Sequence, residues 1–169
     1  MLLEPNYNLE SIYDIDIAKL REDGIKGLFF DLDSTLMKSK SGKFSFQTVQ
    51  FLNDLKSNFK LAIISNNKNM EYIKKAKSQT DIPIYAKAAK PATHVLLKAC
   101  KDLELDPINV AMIGDRPLSD ILGGERAGMV TILVDSISKD EETPIVRFAR
   151  FLERLTIKKQ NTITKKTGF

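Results

Sequence analysis

Residues 29–36 read FFDLDSTL, and two carboxylates in them, Asp31 and Asp33, stand one residue apart. They follow directly on an apolar run, IKGLFF at 25–30. Acids this close repel each other unless a cation or a shared proton lies between them. Oxygen donors of this kind suit a hard divalent cation such as Mg2+. A calcium-binding EF-hand loop opens with the same D-x-D pattern, but it requires Gly at its sixth position and Glu at its twelfth. Those positions hold Leu36 and Gly42, which excludes it. Taken alone, the octapeptide also fits a turn in which Asp and Ser serve local hydrogen bonds.

Three further segments carry matching chemistry. LAIIS at 61–65 runs into Asn66 and Asn67. The Ser65 hydroxyl and the Asn66 amide can donate to a phosphate oxygen, although the same residues make a good turn and helix cap. Lys90 stands just before Pro91 in AKAAKP, where an ammonium can neutralise phosphate charge or simply be solvated. Lys87 competes for that role. VAMIG at 110–114 ends in Gly114 and leads to Asp115, Arg116 and, after three residues, Asp120. Asp115 and Asp120 can hold a cation against Asp31. Asp120 alone is equally explained as an acid favoured by the dipole of a helix start.

These residues need elements that bring them together. Apolar runs at 25–30, 61–65, 82–86, 110–114 and 129–134 predict five strands buried on both faces, as in a parallel sheet. Helical patterns lie between them at about 46–58, 68–79, 91–104 and 118–127. Pro91 fits the first residue of the third. A weaker helix with Asp16 as cap and Gly24 as terminator precedes the first strand. Alternating strands and helices predict an α/β fold with helices on both faces of the sheet. Ligands in such sheets sit beyond the carboxyl ends of the strands, where all four acidic or polar segments fall.

The 169 residues suit one domain. Apolar residues make up 43% and charged residues 28%, enough apolar surface to exclude general disorder. The single cysteine, Cys100, rules out an internal disulfide and a cysteine-rich zinc site, and the single histidine, His94, rules out a His-rich metal site. Both fall in the 91–104 helix, where packing roles are expected. The longest uncharged run is ten residues, Phe44 to Asn53, so no transmembrane helix is expected. Glu4 and Glu10 near the start speak against a signal peptide. A cytoplasmic protein is therefore expected, with peripheral contact to the cytoplasmic membrane face as an option.

The net charge of +4 is uneven. From Ile145 onward seven Lys/Arg stand against Glu153, so this stretch carries +6 and the remainder −2. That points to an anionic partner near the C-terminus rather than to a nucleic-acid-coating surface. Residues 158–169 read as a basic flexible tail behind a domain at 1–157. Before that tail, Thr143 and Pro144 can open a helix. Ile145, Phe148, Leu152 and Leu155 form one stripe on it, with Arg147, Arg150 and Arg154 opposite. Two readings stay open: the stripe packs on the sheet and the arginines face water, or the arginines dock on anionic lipid head groups.

As a set, Asp31-x-Asp33-x-Thr35, Ser65, Lys90 and Gly114-Asp115-x(4)-Asp120 resemble the motifs of the haloacid dehalogenase (HAD) superfamily over residues 25–134. The resemblance implies a three-layer Rossmann-like core. Asp31 would attack phosphorus and form an aspartyl-phosphate, and Asp33 would act as acid and then base. Mg2+ would sit between Asp31, Asp115 and the Asp33 carbonyl. Ser65 and Lys90 would stabilise the transferring group, Asp120 would orient Lys90 or a water, and Asp at 33 points to a phosphatase. The short intervals from Thr35 to 61 and from Asn67 to Lys90 imply no cap domain and an open site.

LLEP, GIKGLFFDLDSTL, ISNN, AKP, GDRPLSD and TPIVRFARFLER are similar to the YqeG-like branch of subfamily IIIA, over nearly the whole chain. That branch is related to phosphatidylglycerophosphate phosphatases, so a phospholipid head group is the implied substrate. A soluble or macromolecular phosphomonoester is the alternative, and a non-catalytic phospho-accepting or protein-binding module a further one. Ser34 and Arg116 depart from the branch's usual Asn and Gln. Arg116, a cation beside Asp115, could touch substrate or alter metal affinity.

Overall fold

The computed structural model describes residues 2–158, so the expected tail lies outside the described residues except for Lys158. Its centre is one parallel sheet of six strands in the order β1-β6-β5-β2-β3-β4. The strands are β1 (Tyr7–Leu9), β2 (Gly27–Phe30), β3 (Lys60–Ile64), β4 (Ile84–Tyr85), β5 (Val110–Gly114) and β6 (Val130–Val134). Five were expected. The sixth, β1, is a three-residue edge strand whose Tyr-Asn-Leu sequence lacks the apolar run that marks a buried strand.

Side chains alternate across the central strands, as a pleat requires. Leu28 and Phe30 of β2 join Ala111 and Ile113 of β5 in one core. Phe29 joins Val110 and Met112 in the other. The first core is covered by α1 (Ile17–Glu22), α2 (Phe46–Leu55) and α3 (Met70–Lys77). The second is covered by α4 (His94–Asp102) and α5 (Leu122–Ala127). The result is three layers with both sheet faces dry.

Local signals set the helix ends. The Asp16 side chain accepts the Lys19 N–H at 3.0 Å, and Gly24, at φ +81°, turns the chain out of α1 into β2. Pro91 does not open α4: it follows a cis peptide bond, and the helix starts three residues later at His94. The segment expected as one helix at 118–127 begins as a wide π-type turn, Pro117–Ile121, before α5. Cys100 is buried, and burial followed by Asp106 pushes its thiol up to about 11. His94, expected to pack, is exposed at the start of α4.

The last helix, α6 (Pro144–Arg154), begins as expected, with the Thr143 side chain accepting the Val146 N–H at 3.4 Å. Its orientation reverses the expectation that the apolar stripe packs on the sheet. Ile145, Phe148, Leu152 and Leu155 all face solvent, whereas Arg150 and Arg154 turn toward the body of the protein. The reason is electrostatic: Asp115, Asp135 and Glu142 stand beneath the helix and pair with those arginines. Just past α6, the Leu3 N–H donates to the Thr156 carbonyl at 2.7 Å, and the Lys158 N–H donates to the Leu3 carbonyl at 2.8 Å. The end of α6 is thereby tied to the N-terminal segment.

Candidate active site

Asp31 is the first residue beyond β2, and its N–H donates to the Ile113 carbonyl at 2.9 Å. That bond registers it against the end of the neighbouring β5, so Asp31 and Asp115 emerge side by side. Asp120 comes back to them through the 117–121 turn. One oxygen from each of Asp31, Asp115 and Asp120 lies within 4.8 Å of the others.

Lys90 locks this group. Its buried ammonium donates to Asp31 Oδ1, Asp120 Oδ1 and the Ile64 carbonyl, each at 2.7 Å. All three of its protons are used. Burial works against its charge, but Asp120 and Asp31 outweigh that and hold its pKa above the ordinary lysine value. The Asn66 amide fixes the Lys90 backbone: Oδ1 accepts its N–H at 2.7 Å and Nδ2 donates to its carbonyl at 3.0 Å. Lys87, the competing lysine, is exposed.

Burial is also the main cause that pushes the Asp31 carboxyl well above its usual range. Asp120 adds to it and Lys90 opposes it. Asp115 is raised by burial and then by Asp120, against Arg150 and the Thr35 hydroxyl. That hydroxyl donates to Asp115 Oδ1 at 2.9 Å. Ser65 is buried at the end of β3, and its Oγ accepts the Asn67 N–H at 3.1 Å. Its own proton remains available to a ligand.

Gly114 has a steric reason. A Cβ there would lie 2.2 Å from Asp120 Oδ2 and 2.5 Å from Asp120 Cβ. Gly114→Ala should push Asp120 off Lys90 and lower stability by about 2–3 kcal/mol in urea unfolding. Wild-type stability in that variant would contradict the close approach.

Asp33 stands apart from the three-acid group. The Tyr72 hydroxyl donates to its Oδ1 at 2.5 Å and the Asn67 amide to its Oδ2 at 3.3 Å. Burial, then the Asp33 hydrogen bond, raises the Tyr72 pKa. Sequence reasoning missed Tyr72. The available signal was position: it lies in the first turn of α3, which starts five residues beyond Ser65. Tyr72→Phe should lower kcat by about tenfold, the worth of one hydrogen bond to a charged group, with KM little changed. A kcat equal to wild type would remove Tyr72 from the site.

Arg116 does not reach toward Asp115. Its backbone N–H donates to Asp120 Oδ2 at 3.1 Å, and its guanidinium pairs with Glu153 of α6. The guanidinium that meets Asp115 is Arg150, which also lies 2.7 Å from Glu142. Arg154 pairs with Asp135 at 2.7 Å, and Arg147 donates to the Asp140 carbonyl at 3.2 Å. Arg150 and Arg154 therefore serve the inner side of α6. A cavity of about 430 Å³ opens between α6 and the loop at 135–142, with Asp115 in its wall.

The donor set fits a hard divalent cation. It consists of carboxylate oxygens, two of its three acids are buried, and Asp115 already draws a cation, Arg150.

The comparisons agree with this geometry. Residues 87–156 match the HAD-hydrolase-like family model. The chain is 33% identical over 151 residues to the Bacillus subtilis (strain 168) protein called Probable phosphatase YqeG, covering 89% of this chain and 87% of that one. It is 28% identical over 164 residues to Phosphatidylglycerophosphate phosphatase 1, chloroplastic/mitochondrial, of Arabidopsis thaliana. That match spans 92% of this chain but 47% of the plant protein. The fold is similar to 2-haloacid dehalogenase from Pseudomonas syringae pv. Tomato DC3000, with TM-score 0.55 and 14% identity. The match covers 75% of this chain and 99% of that one. The chain belongs to the HAD-superfamily phosphatases, in their YqeG-like branch. It is thus a phosphatase enzyme, and no helix among its described residues is long and apolar enough to cross a membrane.

Proposed function

We propose that residues 1–157 form a single capless Mg2+-dependent phosphomonoesterase domain that works through an aspartyl-phosphate on Asp31. The observation that carries this reading is the cluster of Asp31, Asp115 and Asp120 around Lys90 at the carboxyl ends of β2 and β5. Between β2 and β3 the chain forms α2 and no further helix or strand, which supports a site without a cap.

Asp31 Oδ2 is the nucleophile, since Oδ1 is held by Lys90. It forms a bond to phosphorus as the bond to the leaving oxygen breaks. Asp33 gives that oxygen a proton and later takes one from the water that releases phosphate. Ser65 donates to a phosphate oxygen, Asn66 sets the backbone of Lys90, and Lys90 balances the added charge. Mg2+, held by Asp31, Asp115 and the Asp33 carbonyl, would let an anionic nucleophile meet an anionic ester. Asp120 holds Lys90, and Thr35 orients Asp115.

The substrate reading is phosphatidylglycerophosphate, hydrolysed to phosphatidylglycerol. It is supported by the plant relative's name and by likeness over most of this chain. The test is phosphate release with Mg2+ from phosphatidylglycerophosphate micelles beside a panel of soluble phosphomonoesters. Preferential turnover of the lipid is the expected result. Turnover of soluble esters alone would discard the lipid and keep the chemistry. Release from neither would overturn both.

A further inference from the structure

Helix α6 is built opposite to a packed amphipathic helix. Its outer surface carries Ile145 at 81% exposure, Phe148 at 61%, Phe151 at 58%, and Leu152 and Leu155 beside them. A single exposed apolar residue is ordinary, but five on one helical face mark an interaction site. The inner surface is seated by ion pairs: Arg150 on Asp115 and Glu142, Glu153 on Arg116, Arg154 on Asp135. That seat is incomplete. Arg150 Nε is paired with Glu142 at 2.7 Å, but Glu153 Oε2 is buried without a hydrogen bond, so holding the helix down leaves that oxygen unsatisfied.

We propose that α6 is a strap that docks by its apolar face on an anionic lipid surface, and that docking lifts Arg150 from Asp115. This rests on the reading of Asp115 as a metal ligand. Charge selects the occupant. The chain from Ile145 onward carries +6, which suits an anionic bilayer and opposes a second copy of the same face. Phe and Leu opposite arginines is the pattern of helices that lie in a membrane interface.

Lifting needs a lipid that prefers the lifted state. Seated, Arg150 and Arg154 are consumed by the protein's own acids. Lifted, they reach out to anionic head groups while the apolar face stays buried in the interface. Neutral lipid offers the apolar contact but not this gain. Asp115, freed of the guanidinium, then meets the cation without a competitor. Linkage makes the effect reciprocal, so Mg2+ must strengthen anionic-vesicle binding by the factor by which the vesicles strengthen Mg2+ binding.

The experiment needs no substrate. The full chain is sedimented with vesicles of phosphatidylcholine alone or with about one third phosphatidylglycerol. It is compared with the variant Phe148→Ser, Phe151→Ser, Leu152→Ser, whose circular dichroism checks the fold. Wild type should bind the anionic vesicles at least tenfold more tightly than the variant. Equal binding, no binding by wild type, or a wild-type dimer that the variant makes monomeric would overturn the docking face.

Mg2+ affinity is then read by equilibrium dialysis against vesicle-only controls. Arg150→Gln should bind Mg2+ at least threefold more tightly than wild type, and anionic vesicles should bring wild type to the same affinity. If Arg150→Gln binds Mg2+ like wild type while Asp115→Asn does not bind it, the strap is overturned and the catalytic reading stands. If neither wild type nor Arg150→Gln binds Mg2+, the catalytic reading fails and the strap fails with it; sedimentation judges the docking face separately.

Discussion

Asp31→Asn should silence turnover, by at least about a thousandfold in kcat, and leave the fold standing. The amide keeps an acceptor for Lys90, which also retains Asp120 and the Ile64 carbonyl. Removing one charge from three crowded carboxylates offsets part of what the Lys90 pair loses. The melting temperature should therefore stay within about 4 °C of wild type, the equivalent of about 1 kcal/mol in a chain of this length. Phosphate release and a thermal melt on the same sample decide it. Retained turnover would end the assignment of Asp31 as nucleophile, and a collapsed melt would make it a structural residue.

Lys90→Met should be the most destabilising of these changes. It strips a buried pair of carboxylates, Asp31 and Asp120, of their shared cation. Breaking a buried ion pair from one side costs about 3–5 kcal/mol, which corresponds to a loss of about 10 °C in melting temperature. The deficit should depend on pH with a definite sign. Burial already holds the Asp31 carboxyl well above its ordinary range, and losing Lys90 pushes it higher. A carboxyl raised in the folded state keeps its contribution below its unfolded value of about 4 and loses it as pH rises through the folded value. The variant should thus come nearest to wild type near pH 4 and fall furthest behind it near pH 8. Urea unfolding across that range measures it, and a pH-independent gap would show that Asp31 does not feel the lost charge.

The central strands and the four chemical segments were legible because burial on both faces leaves uninterrupted Ile, Val and Phe runs. Acids that follow such runs have no place but the carboxyl ends of the strands. Asp31, Ser65 and Asp115 fell where those runs put them, whereas Lys90, expected at a helix start, stands four residues before α4. β1 escaped because an edge strand needs little apolar sequence, and Asn6 holds it to Thr131 through side-chain bonds that leave no periodic trace. Tyr72 escaped because its role depends on how α3 leans over Asp33, which spacing along the chain does not encode. The α6 stripe was found and its direction was not. Hydrophobic periodicity says which residues share a face, but the pairing of Arg150 with Asp115 decides which face turns inward. That pairing joins residues brought together only by the completed fold.

The sheet order also fixes a sequence of events in assembly. β1 leaves the ribosome first, yet it pairs with β6, and the Asn6–Thr131 contact beside that pairing spans 125 residues. Strands β2 to β5 can form their ladder while β1 waits unpaired, and long-range pairing of this kind is slow. Until β6 arrives, the open side of β5 is a bare strand edge able to recruit another chain. Newly made protein is therefore most exposed to aggregation in the interval between the synthesis of β5 and the docking of β6, and the N-terminal strand cannot pair until β6 is in place.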